Sequence, residues 1–115
     1  MLIRSQNKKY LVSTNNITFY VMDSEVICFG ISDIEDGDYI ILGHYETKAK
    51  AMKVLDMIQE AYEEYKITCT FLTGFTGHRA IVESNDIRVN GFEELIKSFK
   101  KNMIFQIPED SEVEV

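Results

Sequence analysis

The stretch that decides the fold reads Asp38-Tyr-Ile-Ile-Leu-Gly-His-Tyr-Glu46 and continues through Thr47 into residues 48–66. Its first half is rich in β-branched and aromatic side chains, which predicts a strand, with a tight turn at Gly43. Thr47 suits the N-cap of a helix, because its hydroxyl can accept a hydrogen bond from a free N–H of the first turn. Apolar residues at steps of three and four predict one buried helical stripe, formed by Ala51, Val54, Leu55, Ile58, Ala61, Tyr62 and Tyr65.

Short apolar segments separated by turn residues surround this stretch and are typical of an antiparallel meander. After the long helix, residues 67–72 alternate and predict a strand, with continuation of the helix as the alternative. Asn90 can cap a second helix over residues 91–101. We therefore expect an α+β fold: an antiparallel β-meander sheet packed by one long helix, with a second helix and a C-terminal strand. The predicted strands are residues 2–5, 9–13, 17–22, 25–31, 39–45 and 103–107.

Length and composition indicate one domain. A chain of 115 residues with 45% hydrophobic residues suits a single globular domain over residues 1–108, followed by a flexible acidic tail at 109–115. The formal net charge of −7 disfavours direct nucleic-acid binding, which depends on Lys and Arg neutralising phosphates. Such acidity instead favours a basic protein partner or imitation of the charge of a nucleic acid.

The sequence predicts a cytoplasmic protein without a membrane partner. The first residues lack a basic region followed by a long apolar run, and no segment has the roughly 18 apolar residues that span a bilayer. Cys28 and Cys69 are expected to be buried thiols in a reducing compartment. No cofactor or metal is expected. The loop 33–38 lacks the Gly and Glu positions of a calcium loop, and His44 and His78 lack metal-ligand spacing.

The first candidate binding site is the loop Thr73-Gly-Phe-Thr-Gly-His-Arg79. Its two glycines allow backbone N–H groups to converge on an anion. The loop lacks the Lys-Ser/Thr ending of a P-loop, and a plain hairpin turn is the alternative interpretation. The side chains and backbone expected to contact a phosphate and its base belong to Phe75, Thr76, Gly77, His78 and Arg79.

The second candidate is the start of the long helix, where the charge order opposes the helix macrodipole. Lys48, Lys50 and Lys53 lie near the start, whereas the macrodipole favours acidic residues there. Accident is one explanation, because each misplaced charge costs only about a few tenths of a kcal/mol. The other explanation is that the three lysines and the free N–H groups hold a bound anion, such as a phosphate.

Several segments together resemble a family of small proteins encoded by phages and prophages of Gram-positive bacteria. They are Leu2-Ile-Arg-Ser-Gln-Asn-Lys8, Ile41-Leu-Gly-His-Tyr-Glu-Thr47, the helix segment 51–62 and Phe105-Gln-Ile-Pro-Glu-Asp110. Residues 68–101 look like an insertion that the resemblance does not cover. The shared motifs are structural, so the resemblance transfers no catalytic residue. It implies a phage origin, and small phage proteins without enzymatic motifs are often antagonists of host defence.

Three functional hypotheses follow. The leading one is a non-enzymatic, phage-encoded anti-defence protein that binds and sequesters a small nucleotide-derived immune signal. The alternative is an acidic inhibitor that binds a basic groove of a host defence nuclease, such as a CRISPR effector. A nucleotide-processing enzyme ranks last, because the chain lacks a nucleophile or metal signature. We also expect a homo-oligomer, since residues 25–31 look apolar on both faces and one of the adjacent Phe19 and Tyr20 must point away from the core.

Overall fold

The computed structural model describes residues 1–30, 38–73, 97 and 100–114, and within them it confirms the α+β class. The long helix, α1, spans Lys48–Thr73, and a 3-10 helix spans Asp110–Glu112. Residues 97 and 100–103 are helical, while the rest of the predicted second helix lies outside the described residues. The strands are β1 (Leu2–Arg4), β2 (Leu11–Ser13), β3 (Thr18–Met22), β4 (Glu25–Phe29), β5 (Ile40–His44) and β6 (Ile104–Gln106).

The six strands form two three-stranded sheets where the sequence predicts one. The second sheet, in the order β3-β4-β5, is an antiparallel meander. In the first sheet, β1 lies between β2 and β6, antiparallel to β2 and parallel to β6. The parallel pair aligns Leu2 with Ile104 and Arg4 with Gln106. The C-terminal strand thus completes a sheet that the N-terminal hairpin begins.

Gln6 joins the two sheets. Its backbone N–H donates to the carbonyl of Leu42 at 2.7 Å, and its side-chain oxygen accepts the N–H of His44 at 3.0 Å. Its amide nitrogen donates to the carbonyls of His44 at 3.3 Å and Pro108 at 3.1 Å. The chain after β1 therefore borders β5 and covers that side of the second sheet.

Gly43 lies inside β5, so the turn predicted at this position is wrong. The register between β4 and β5 shifts between Val26 and Ile27, which marks a bulge beside Gly43. A Cβ at Gly43 would lie 2.9 Å from Cγ2 of Ile107 and 3.0 Å from the side chain of Tyr45. The position requires glycine because neighbouring side chains approach its backbone closely.

The start of α1 confirms the predicted cap and the first part of the predicted stripe, whereas Tyr62 further along is 38% exposed, so the prediction that it is buried is wrong. The hydroxyl of Thr47 accepts the N–H of Lys50 at 3.2 Å. Ala51, Val54 and Ile58 are buried, and they pack with the inner side chains of both sheets. The other members of this core are Ile3, Val12, Val21, Val26, Cys28, Leu42, Tyr45, Ile107 and Val113.

The far end of α1 corrects the sequence prediction. The helix continues to Thr73, so the strand predicted over residues 67–72 is wrong and the alternative is confirmed. The hydroxyl of Thr68 donates to the carbonyl of Glu64 at 2.9 Å, a bond that threonine makes within helices. Ile67 is 70% exposed, so the alternation did not reflect a half-buried strand.

The two cysteines differ in burial. Cys28 is fully buried, as predicted, and burial raises the pKa of its thiol to about 11. Cys69 lies on α1 and is only partly buried, so the prediction of a buried thiol is wrong there.

Candidate functional site

The residues predicted to bind a ligand divide between two parts of the chain. Phe75, Thr76, Gly77, His78 and Arg79 lie outside the described residues. Lys48, Lys50 and Lys53 lie in the first turns of α1, where Lys48 and Lys53 are exposed and Lys50 is partly buried.

A carboxylate of the chain itself occupies the start of α1. One oxygen of Asp110 accepts the backbone N–H of Glu46 at 2.8 Å. Lys50 donates to the other oxygen at 3.1 Å and to the carbonyl of Asp110 at 3.1 Å. The hydrogen bond from Glu46, followed by that from Lys50, lowers the pKa of Asp110 below its ordinary value. The first turn of α1 contains no acidic residue, and Asp110 supplies the negative charge that the macrodipole favours.

Neighbouring residues hold Asp110 in place. The hydroxyl of Tyr45 donates to the carbonyl of Pro108 at 2.7 Å, and the backbone N–H of Glu109 donates to Glu112 at 3.1 Å. Val113 is buried against the core. Burial, followed by the nearby acidic groups, raises the pKa of Tyr45 above its ordinary value. The segment 109–113 therefore docks on the domain, where the sequence predicts a flexible tail.

The lysine-rich helix start consequently has a resident anion. Lys50 donates to Asp110, and the same carboxylate accepts the Glu46 N–H just before the Thr47 cap. The sequence predicted a bound external anion at this end of α1, and the structure places a carboxylate of the chain there. The sequence did not reveal that the anion is a side chain sixty positions further along the chain.

The structure brings together a different set of cations, which the sequence did not predict as a site. A cleft of about 250 Å³ lies beside the turn that joins β1 to β2. Three of the chain's twelve Lys and Arg residues line it, and no Asp or Glu is among its described lining residues. We call it the basic cleft; it is formed by Arg4, Lys8, Lys9, Tyr10, Leu11 and Ile104.

A hydrogen-bond network fixes the turn that presents these cations. Ser5 is buried; its hydroxyl donates to the side-chain oxygen of Asn7 at 2.6 Å and accepts the N–H of Tyr10 at 3.0 Å. The same oxygen of Asn7 accepts the N–H of Lys9 at 2.9 Å. Lys8 adopts a φ of 64°, in the left-handed region, and its N–H donates to the carbonyl of Ser5 at 2.9 Å. The turn therefore has one well-defined backbone conformation.

The guanidinium of Arg4 lies against this turn. Its Nε and Nη2 both donate to the carbonyl of Lys8 at 3.4 Å, which leaves the remaining N–H groups for a ligand. In the part of the chain that the structure describes, the ion pairs are Lys50 with Asp110 and His44 with Glu25, so none involves the basic cleft. The cleft thus carries positive charge that the described protein does not neutralise.

Apolar and aromatic side chains form the rest of the cleft. Tyr10 is 47% exposed, Leu11 55% and Ile104 49%, so the cations border an apolar surface. The hairpin pattern of residues 4–11 was a usable signal, because it places Arg4 opposite Leu11 and close to the Lys8-Lys9 turn. The contribution of Ile104 depends on the parallel β1–β6 pair, which local sequence does not indicate.

Comparison with protein-family models, with curated proteins and with solved structures finds no match to this chain. Among the described residues, no three His, Cys, Asp or Glu side chains are grouped as metal ligands. No helix in the same residues is long and apolar enough to cross a membrane.

Proposed function

We propose that this chain is a non-enzymatic, phage-encoded anti-defence protein of the host cytoplasm. In this proposal it binds and sequesters a small, phosphate-bearing, nucleotide-derived immune signal. The observation that supports it is the basic cleft, a cluster of cations that no described residue neutralises, in a chain of net charge −7. The resemblance of the sequence to small phage proteins supports the biological setting.

The chemistry of the basic cleft suits a nucleotide. The planar guanidinium of Arg4 can contact two phosphate oxygens at once, and Lys8 and Lys9 add two mobile charges. The exposed ring of Tyr10 offers a face on which a base can stack. The fixed turn reduces the conformational entropy lost on binding. These features fit a ligand that has phosphates at one end and a flat ring at the other.

The same lining favours binding without turnover. Its described residues carry no carboxylate, imidazole or thiol, so the cleft offers no acid–base pair of the kind that hydrolases use. A sequestering protein needs only to hold its ligand.

The decisive experiment is mass spectrometry of small molecules released by heat from the protein. The protein is purified from cells in which a nucleotide-signalling defence system has been activated. We expect a phosphate-bearing compound of unchanged mass with the wild-type chain and its loss with the double variant R4A/K8A. The matched control is K48A/K53A, which removes two exposed lysines of α1 and should retain the compound.

Calorimetry with defined nucleotides measures whether the chain binds such a ligand at all, and so can contradict the proposal. A wild-type chain that binds neither cyclic nucleotides nor ADP-ribose would remove the sequestering function. Conversion of a nucleotide by the pure protein would place the chain among the enzymes.

A second function is favoured by the surface of α1. Asp56, Glu60, Glu63 and Glu64 are all exposed, and none forms an ion pair with a described residue. Residues spaced three and four apart lie on one side of a helix, so these carboxylates form a negative strip. Such a strip could bind the basic groove of a host defence nuclease in place of a nucleic acid.

Salt dependence and charge reversal test this alternative. A complex with a nuclease should weaken steeply as the salt concentration rises, and E60K/E64K should abolish it. The variant R4A/K8A is the control, because it leaves the acidic strip unchanged. A complex that is insensitive to salt would contradict charge mimicry.

A further inference from the structure

The described edges of the two sheets differ in length and charge. β2 and β6 are outer strands of three residues each, and Lys8 and Lys9 precede β2. β3 is an outer strand of five residues, Thr-Phe-Tyr-Val-Met, without a charge, proline or glycine. Within the described residues, no hydrogen bond reaches its outer edge. Proteins usually protect such an edge with short length, charge or proline, and β3 has none of these features.

The solvent face of the second sheet is apolar next to this edge. Tyr20 pairs with Ile27 of β4, and Ile27 pairs with Ile41 of β5, so the three side chains form a row across the sheet. Tyr20 is 53% exposed and Ile41 44%, whereas Ile27 between them is only 3% exposed. The row therefore confirms that β4 carries apolar side chains on both faces.

The inner face has an opening beside the same strand. A cavity of about 380 Å³ lies between β3 and α1. Phe19 is the β3 side chain that lines it, and Leu55 and Tyr62 line it from the helix. Apolar surface is thus accessible on both sides of the β3 edge.

We propose that two copies of this chain associate through antiparallel pairing of their β3 strands about a two-fold axis at Tyr20. This register aligns Thr18 with Met22 and Phe19 with Val21 of the other copy. It keeps every outward side chain on the outer face, whereas a shift by one residue would place Val21 in solvent. The product is a six-stranded sheet in which the apolar row continues across both copies.

The charge distribution favours a second copy over a charged partner. β3 offers no charge to complement a basic or acidic surface, whereas its backbone edge is self-complementary under a two-fold axis. Each copy carries a net charge of −7, so long-range repulsion opposes association. Added salt screens that repulsion and should strengthen the dimer, opposite to its effect on a complex with a basic partner. This interface does not depend on the ligand of the basic cleft.

Sedimentation of the full chain over a concentration series tests the interface. We expect the wild type to pass from one copy to two between about 1 and 500 μM, as for a weak interface of limited area. Tyr20→Lys places a charge at the two-fold axis and should raise the dissociation constant at least about tenfold. Ile41→Lys is the matched control: it adds the same charge to the same face, away from the β3 edge, and should change the constant by less than about threefold.

Amide hydrogen exchange of the wild type gives a second readout that requires no variant. Exchange of residues 18–22 should slow as the protein concentration rises, because new backbone hydrogen bonds form there. A wild type that stays monomeric throughout the series overturns the proposal. Equal disruption by Ile41→Lys also overturns it, since the contact would then be face-to-face stacking.

Discussion

The start of α1 and the turn between β1 and β2 both present lysines, but only the start of α1 has a carboxylate of the described chain beside them. At the start of α1, Lys50 and a backbone N–H are bonded to Asp110. At the turn, Lys8 and Lys9 border a cleft whose described lining contains no carboxylate. A cluster of cations therefore indicates a binding site only when the folded chain has not provided its own anion.

The first prediction tests whether the segment that carries Asp110 belongs to the core. Ile107 is 1% exposed and belongs to the core, so Ile107→Ala should leave a cavity. We expect the free energy of unfolding to fall by about 2–5 kcal/mol, measured by urea denaturation. Ile67→Ala, at a position 70% exposed, should change it by less than about 0.5 kcal/mol. Equal tolerance of both variants would show that the segment does not need to dock.

The second prediction compares the two lysine clusters as ligand sites. Arg4→Ala should weaken binding of ADP-ribose by about tenfold to a hundredfold, because one charge-assisted contact with a phosphate is lost. Lys48→Ala should alter it by less than about twofold. Titration calorimetry with ADP-ribose measures both. A larger effect from Lys48→Ala would return the site to the helix start.

The third prediction concerns the removal of Asp110 from the start of α1. Asp110→Ala removes the resident carboxylate and should lower stability, though less than Ile107→Ala does. It also leaves Lys50 and the Glu46 N–H available, so inorganic phosphate should raise the melting temperature of the variant more than that of the wild type. The comparison is made by thermal unfolding in phosphate and in chloride at equal ionic strength. Identical responses would mean that Asp110 does not occupy an anion site.

The fourth and smallest effect is a pH dependence. The pKa of Asp110 is lower in the folded chain than its ordinary value of 3.8, so its carboxylate stabilises the folded state. That contribution is complete above the ordinary value and is lost as the pH falls through the lower, folded value. The stability difference between the wild type and Asp110→Asn should therefore be constant near neutrality and shrink below about pH 3.8. Urea denaturation across this range measures it, and a difference that persists in acid would assign the effect to packing.

Local patterns predicted the local elements. Thr47, the stripe at Ala51, Val54 and Ile58, and the six strands are confirmed, because each depends on residues close together in sequence. The end of α1 was missed because residues 67–72 fit either a strand or a helix, and only the continuous backbone decides between them.

Non-local contacts explain the remaining differences. The strands form two sheets because β2 and β3 do not pair, and the parallel β1–β6 pair completes the first sheet; no nearby residue indicates either feature. The acidic composition of residues 109–115 predicts a flexible tail. Residues 109–113 instead dock, because Asp110 is bonded to Lys50 and Glu46, which lie far away in sequence. The basic cleft depends on a local and a non-local feature: the turn between β1 and β2 supplies its lysines, and β6 supplies Ile104.

Because β1 lies between β2 and β6, the two sheets can form at different times during synthesis. The ribosome completes β3, β4, β5 and α1 well before β6, so the second sheet and its helix can assemble on the growing chain. The first sheet must wait, because the neighbour of Leu2 is Ile104. Until residues 104–110 are made, β1 has one unpaired edge, the basic cleft lacks Ile104 and the helix start lacks its carboxylate. Synthesis of β6 and Asp110 is therefore the step that completes the first sheet and the start of α1.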